Sequence, residues 1–353
     1  MCSILQNSSF TEEQLIFHLF LSRITFLSCE EKNFLYKKLD SVNRLAISSI
    51  NDIENLVSRS FSKKVVWQPL ENLRMARLAL HYCRQLNITI LLNTEEEFPP
   101  LLREISDPPY LLFCRGDVSL LQKKSISIVG TRRVTAQGSL AAKDFAYAAV
   151  KDGVNIVSGL AAGVDGAAHL GAVNALFDCR EKEEDESLLG RTIAVLPSSI
   201  DSIIPAGNKM LAEKIIKSGG LLISEYEPRM EMAKWHFVAR NRIIAGLSFA
   251  TLVIQAPVGS GALITADFAL DYGRDLLFHK ACLEDSAKMI SQKVKGELQT
   301  SFAKGCVSKY KIENCIEKFI SAGAPVINDY ADFCIAINEM PGKRAGLLQS
   351  ELF

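Results

Sequence analysis

The chain reads as an α/β protein: a Rossmann-like domain with a mostly parallel sheet, preceded by a small all-helical domain. Two observations predict this. From residue 125 onward, six short branched-apolar runs alternate with helical stretches, the rhythm of parallel strands covered on both faces. Before about residue 67 there are only short helix signatures joined by small connectors. Composition agrees. At 353 residues, 48% hydrophobic and 23% charged, this is a folded chain of about two or three domains. Forty basic residues balance forty acidic ones, which excludes a globally basic binder but leaves room for a local basic patch. No uninterrupted apolar run reaches the ~18 residues of a membrane span, and no secretory segment opens MCSILQNSSFTEEQ. A cytoplasmic location is the expectation. The nine cysteines contain no C-x-x-C pair, so reduced thiols are expected, with neither a disulfide framework nor a metal site.

Residues 1–66 form the expected helical domain. Thr11 followed by EEQLIFHLFLSRI supplies a polar cap, early acids and then an apolar stripe. EEKNFLYKKLD and NDIENLVSRSF continue the pattern in pieces too short to stand alone. His18, among Ile16, Phe17, Leu19 and Phe20, is read as packing rather than as a ligand. The second domain is assigned to 67–330. It opens with the basic helix ENLRMARLALHYCRQLN, the strand-like ITILL and two proline pairs, at 99–100 and 108–109, that fix turns.

The alternating strands are SISIVG, VNIVSG, TIAVLPS, GLLISEY, ATLVIQAP and DLLFHKA, and most intervening helices close on glycine, at Gly153, Gly219 and Gly273. One segment breaks the rhythm: 178–187 carries six acids and two bases and reads as a solvated insertion. The tail, 331–353, is too short for an independent domain.

Ligands of an open parallel sheet sit at the carboxyl ends of its strands. After the first strand come Gly130, Thr131 and Arg132, a glycine that permits close approach and a fork of donors suited to phosphate. Neither a G-x-G-x-x-G nor a P-loop pattern is present. After the second come Ser158 and Gly159, then Gly163 at a tight turn and Asp165 at a helix start, where capping is the plain reading. His169 lies four residues on, so an Asp–His structural hydrogen bond is expected. After the third, Lys209 falls in a first helical turn, where it opposes the dipole; it either points to solvent or answers a nearby anion. Residues 232–266 contain no acid at all but hold Trp235, Phe237, Arg240, Asn241 and Arg242. If extended, the two arginines share a face; if helical, they diverge by about 160°. Ser260-Gly261 then opens another helix, a further anion cradle. Several such loops at one sheet edge, with no evident general base, point to a polyanion.

The runs SIVGTRR (127–133), SGLAAGVDGAAHLGA (158–172), RTIAVLPSSIDSIIPAGNKMLAEKI (191–215), GGLLISEY (219–226), FVARNRIIAGLS (237–248) and GSGALITADFALDYGRD (259–275) together resemble the bacterial DNA-processing protein A family, DprA or Smf. The resemblance covers about residues 95–330, and the amino-terminal helices stand where the family carries a small SAM-like or helix-hairpin domain. It implies a non-enzymatic, cofactor-free protein that binds and protects single-stranded DNA, dimerises through the Rossmann-like domain and loads RecA recombinase during natural transformation. It assigns phosphate binding to Gly130, Thr131, Arg132, Ser158, Gly159, Lys209, Arg240, Asn241, Arg242, Ser260 and Gly261. Phe237 and Trp235 either stack on bases or pack beneath the arginine run. The sequence departs from the family at Gln255, where a glutamate is usual, at Leu277-Phe278-His279-Lys280, where Ala-Val-Pro-Gly is usual, and in lacking an expected carboxyl-terminal winged helix. Two rivals follow: a nucleotide phosphoribohydrolase, whose loop glutamate is missing here (the first acid is Asp267), and an adaptor with degenerate DNA binding.

Overall fold

Short polar residues set the starts of the first helices. In the computed structural model, which describes residues 10–339, α1 (Glu12–Ser22), α2 (Cys29–Leu39) and α4 (Ile50–Val57) each begin with a reciprocal capping box, made by Thr11 with Gln14, Ser28 with Glu31 and Ser49 with Asp52. α3 (Val42–Ile47) lies between the last two, and the long α5 (Pro69–Gln85) starts on a proline. Residues 1–9 and 340–353, which include the amino-terminal segment and most of the tail read from the sequence, lie outside the described residues.

The sheet has nine strands. β1 (Thr89–Leu92), α6 (Pro100–Arg103) and β2 (Leu111–Gly116) precede the alternating part. That part runs β3 (Ser125–Val129), α7 (Ala136–Lys151), β4 (Asn155–Ser158), α8 (Val164–Glu181), β5 (Thr192–Val195), α9 (Lys209–Lys217) and β6 (Leu221–Ser224). The short helices α10 (His236–Ala239) and α11 (Asn241–Gly246) lead into β7 (Ala250–Val253), α12 (Gly261–Asp271) and β8 (Asp275–His279). α13 (Asp285–Ala303), α14 (Lys309–Glu313), α15 (Ile316–Ser321), β9 (Val326–Ile327) and α16 (Tyr330–Glu339) close the described chain.

The strand order is β1-β2-β6-β5-β4-β3-β7-β8-β9. Only β1–β2 and β2–β6 are antiparallel; from β6 through β9 every pairing is parallel. The chain therefore winds outward from β3 to β6, returns, and places β7 on the other side of β3, with Val129 opposite Val253. The crevice between the ends of β3 and β7 is the topological switch point of the sheet.

Three apolar clusters fill the molecule. One lies under α7, α8 and α16, and one under α6, α11, α12 and α15. The third is shared. Leu15, Phe20 and Leu45 of the helical part pack in the same cluster as Tyr110, Phe113, Ala194 and Leu222 of the sheet. Polar ties cross the same boundary: Arg23 pairs with Glu227, Asn33 Nδ2 donates to Asn93 Oδ1 (3.2 Å), and His18 Nδ1 lies 2.7 Å from the Tyr110 hydroxyl. His18 is thus a core histidine, also stacked on Tyr36.

The acidic run at 178–187 is largely exposed, as its composition suggests. α8 continues through Glu181, and two of the acids beyond it find cations: Glu186 pairs with Arg180 and Arg191, and Glu184 with Lys151. All eight described cysteines are unpaired, and burial pushes the thiols of Cys29 and Cys83 up to about 11 and 12. Among the described residues no helix is long and apolar enough to cross a membrane.

Burial pushes the pKa of His18 down to about 4 and, with help from the charge of Arg240, that of His169 to about 3. Both are 6.5 ordinarily, so below that pH the unfolded chain binds protons the folded chain refuses. Their contribution to stability is full above pH 6.5 and is lost as the pH falls toward 4. Urea unfolding between pH 8 and 4 should show this fall. In His18→Gln, which keeps an acceptor for Tyr110, the slope should be smaller by about one proton.

Candidate nucleic-acid interface

The loop after β3 is built by close approach. Thr131 N–H donates to the Gln255 carbonyl at the end of β7 (2.7 Å), and Thr131 O accepts from Val164 N–H at the start of α8 (3.2 Å). No side chain fits there. A Cβ on Gly130 would lie 2.4 Å from Val164 Cγ2, and Gly163, at φ +81°, would meet Thr131 O at 2.3 Å. Thr135 caps α7 by accepting from Gly138 N–H. Gln255, where a carboxylate was the family expectation, accepts from Thr135 N–H and donates to Thr135 Oγ1 and Ala281 O, both at 2.9 Å. Its amide supplies donors that a glutamate lacks.

Helical geometry separates the two arginines of the RNR run. Arg240, at the junction of α10 and α11, is buried and donates to the carbonyls of Gly159 and Val195. A Cβ on Gly159 would stand 2.1 Å from its Nη1. Asp165 lies in the same buried space, where it accepts from Ala161 N–H (3.4 Å) and from Gly159 N–H. Burial raises the Asp165 pKa against the pull of Arg240, and burial lowers that of Arg240 to about 10. Arg242 points the other way: Nε donates to Asp107 (3.1 Å), and Nη1 and Nη2 clasp Glu225 at 3.0 and 2.6 Å.

Between the loop after β3 and the loop after β7 opens a cavity of about 430 Å³. Its walls include Gly130, Thr131, Arg132, Arg133, Asn241, Ser260 and Gly261, with Phe237, Arg240 and Asp165 behind them and Val294, Leu298 and Lys311 across from them. Arg132 is exposed, with its guanidinium over the Phe237 ring at 4.7 Å from the centroid. Arg132, Arg133 and Lys311 are all exposed, and none of the three is in an ion pair among the described residues. The eleven-residue α12 starts at the cavity wall, with Ser260 Oγ accepting from Ala262 N–H (3.3 Å) and Asn241 Nδ2 donating to Gly261 O (3.1 Å). Exposed cations and a helix start at a switch point are chemically suited to phosphate groups.

Several sequence-based expectations resolve differently. The Ser158 hydroxyl is buried and donates to Ile128 O (2.6 Å), and the Gly159 carbonyl is taken by Arg240. The amides of this loop hold Asp165 rather than a ligand. No Asp165–His169 hydrogen bond forms: His169 Nδ1 pairs with Thr192 Oγ1 (2.7 Å), because the helix turns the ring toward β5. Arg242 and Lys209 do not line the cavity, though Lys209 is exposed at the start of α9. Trp235 is 60% exposed and Phe237 half-buried. Asp267, the acid the hydrolase reading would need, is held by the Tyr310 hydroxyl, Asn314 Nδ2 and Lys318. Sequence reasoning missed Arg133 and Lys311. The first adjoins a chosen arginine; the second is 50 residues beyond the loop it faces and gives no local signal.

Fold and site define a protein of the Rossmann-like class with an open, cation-lined cavity at its switch point. The particular family follows from its relatives: the sequence model described as DNA recombination-mediator protein A matches residues 89–322, and the chain belongs to this family. It is 31% identical over 258 residues to Protein Smf of Borreliella burgdorferi, covering 73% of this chain and 77% of that one. It is 39% identical over 194 residues to DNA processing protein DprA of Bacillus subtilis, covering 55% and 61%. The X-ray structure of DprA from Streptococcus pneumoniae superposes with a TM-score of 0.64 at 25% identity, over 92% of this chain and 98% of that one.

Arg242→Ala should lower the unfolding free energy by about 2 kcal/mol, because Glu225 and Asp107 lose a charged donor. Chemical denaturation would measure this, and an unchanged midpoint would remove Arg242 from the framework of the site. Gln255→Glu, which places a carboxylate against the Ala281 carbonyl, should cost about 1–3 kcal/mol in the same assay.

Proposed function

We propose that the protein binds single-stranded DNA through the switch-point cavity, protects incoming strands and loads RecA recombinase on them during natural transformation. The observation that carries this reading is the group of three unpaired cations, Arg132, Arg133 and Lys311, around a cavity open at the strand ends. Membership in a family described as a recombination mediator supplies the process. The contacts fall on phosphates, so binding is salt-dependent and largely indifferent to sequence.

In this reading Arg132 and Arg133 take backbone phosphates, while Gly130, Thr131, Ser260 and Gly261 let the strand approach the backbone. Asn241 fixes the loop before α12. Arg240, Arg242, Ser158 and Gly159 act as positioning residues. Lys209 extends the basic surface beyond β5, and the exposed indole of Trp235 offers a stacking face for an unpaired base. A single cavity binds weakly; a homodimer formed through the Rossmann-like domain places two on one strand and gains affinity by avidity.

Fluorescence anisotropy on a labelled single strand of about 40 nucleotides and its duplex, across a salt series, tests this proposal. The wild-type protein should prefer the single strand. Arg132→Ala should weaken binding several-fold and reduce the slope of log K against log[salt] by about 0.7, one phosphate's worth. A stable Arg132→Ala protein that binds like wild type would overturn the assignment. Faster RecA nucleation on strands carrying the wild-type protein, but not the variant, would connect binding to loading.

A further inference from the structure

A second cavity, of about 400 Å³, lies beside the first. The two share Thr131, Arg133, Pro257 and Val258 in their walls, so they meet across the turn that follows β7. The outer wall of the second is α13, a nineteen-residue helix with no buried residue. The helix is held in place at its inner edge. Ser291 Oγ accepts from Val258 N–H (3.2 Å), and Leu298 lies against Gly259, whose N–H donates to Asn314 O (2.8 Å).

The charge on this wall is one-sided. Residues 285–311 hold six lysines against two acids. Lys288 and Lys295 line the cavity, seven residues apart and so two turns along one helix face, about 10 Å. With Arg133 they bring three exposed cations to the cavity, against one carboxylate, Glu317. None of these four groups is in an ion pair among the described residues. Between the cations the lining turns apolar, with Val258, Cys282, Leu283, Ile290 and Ile316, and Gln292 adds an amide. Paired cations flanking an apolar floor suit a phosphodiester with its base turned inward.

We infer that α13 and the turn after β7 form a second phosphate-binding pocket continuous with the first, so that one single strand runs from Arg132 past the shared Thr131 and Arg133 to Lys288 and Lys295. This rests on the single-strand reading of the switch-point cavity and extends it. The first pocket alone holds a short strand; the second engages only a strand long enough to cross the Pro257–Val258 turn.

The test compares the wild-type chain, Arg132→Ala, Lys288→Gln/Lys295→Gln and Lys304→Gln on single strands of about 4 and about 16 nucleotides across a salt series. Lys288 and Lys295 are exposed, so the double variant should fold, which its thermal transition would verify. On the longer strand it should bind about tenfold more weakly, with a salt slope lower by about 1.4, two phosphates' worth. On the shorter strand it should match wild type. Lys304→Gln, on the same segment but outside the cavity wall, should match wild type on both. If the double variant keeps the wild-type slope on the longer strand while Arg132→Ala loses affinity, the second pocket is refuted and the first stands. If the wild-type chain binds neither strand, both readings fall. Binding of free AMP that the double variant loses, with strand binding intact, would make this a small-ligand site and equally overturn the inference.

Discussion

Arg240 sits out of water beneath the carboxyl ends of β4 and β5, where two backbone carbonyls and the field of Asp165 meet its charge. Burying a guanidinium costs several kcal/mol unless it is well partnered, and the partners here come from three elements that must all be in place. Gly159 has to lack a side chain, Val195 has to end its strand beside it, and α8 has to begin where Asp165 reaches the loop. The turn between β4 and α8 is therefore folded around an internal charge. Its amides at Gly159 and Ala161 are engaged by Asp165. The open space at this edge lies between the next loops, after β3 and β7, which lean on this one through Thr131 and Val164.

A chain of zero net charge still carries a locally basic surface, and several of its acids are engaged away from it. Glu225 and Asp107 are held by Arg242, Glu227 by Arg23, Glu186 by Arg180 and Arg191, and Asp267 by a tyrosine, an asparagine and a lysine. Around the two cavities the balance reverses, because Arg132, Arg133, Lys288, Lys295 and Lys311 have no such partners among the described residues. The patch arises both from a local excess of cations, as in 285–311, and from carboxylates engaged elsewhere.

The strands and their order of appearance were legible because parallel strands buried on both faces are uniform apolar runs. The helix cap at Thr11, the close approach at Gly130 and the tight turn at Gly163 were legible for equally local reasons. The fate of each arginine was not. Arg240 and Arg242 are alike in sequence, and only the partners distinguish them: Gly159 is 81 positions away from Arg240, and Asp107 is 135 away from Arg242. Ser158 misled in the same way, since its hydroxyl answers Ile128 on the neighbouring strand. The segment carrying α13 and α14 had no motif to mark it, and its return over the Gly259 turn is a tertiary contact that periodicity does not encode.

The shared cluster of the helical part and the sheet has a mechanical meaning. Because Leu15, Phe20, Tyr110 and Phe113 belong to one core, and Arg23–Glu227 and His18–Tyr110 cross the same boundary, the bundle has no hinge on which to swing. The helical part packs at the carboxyl-end edge of the sheet, so its outer face is set in distance and angle relative to the loops after β3 and β7. The two parts stand to each other like the arms of a set-square, with one core at the corner.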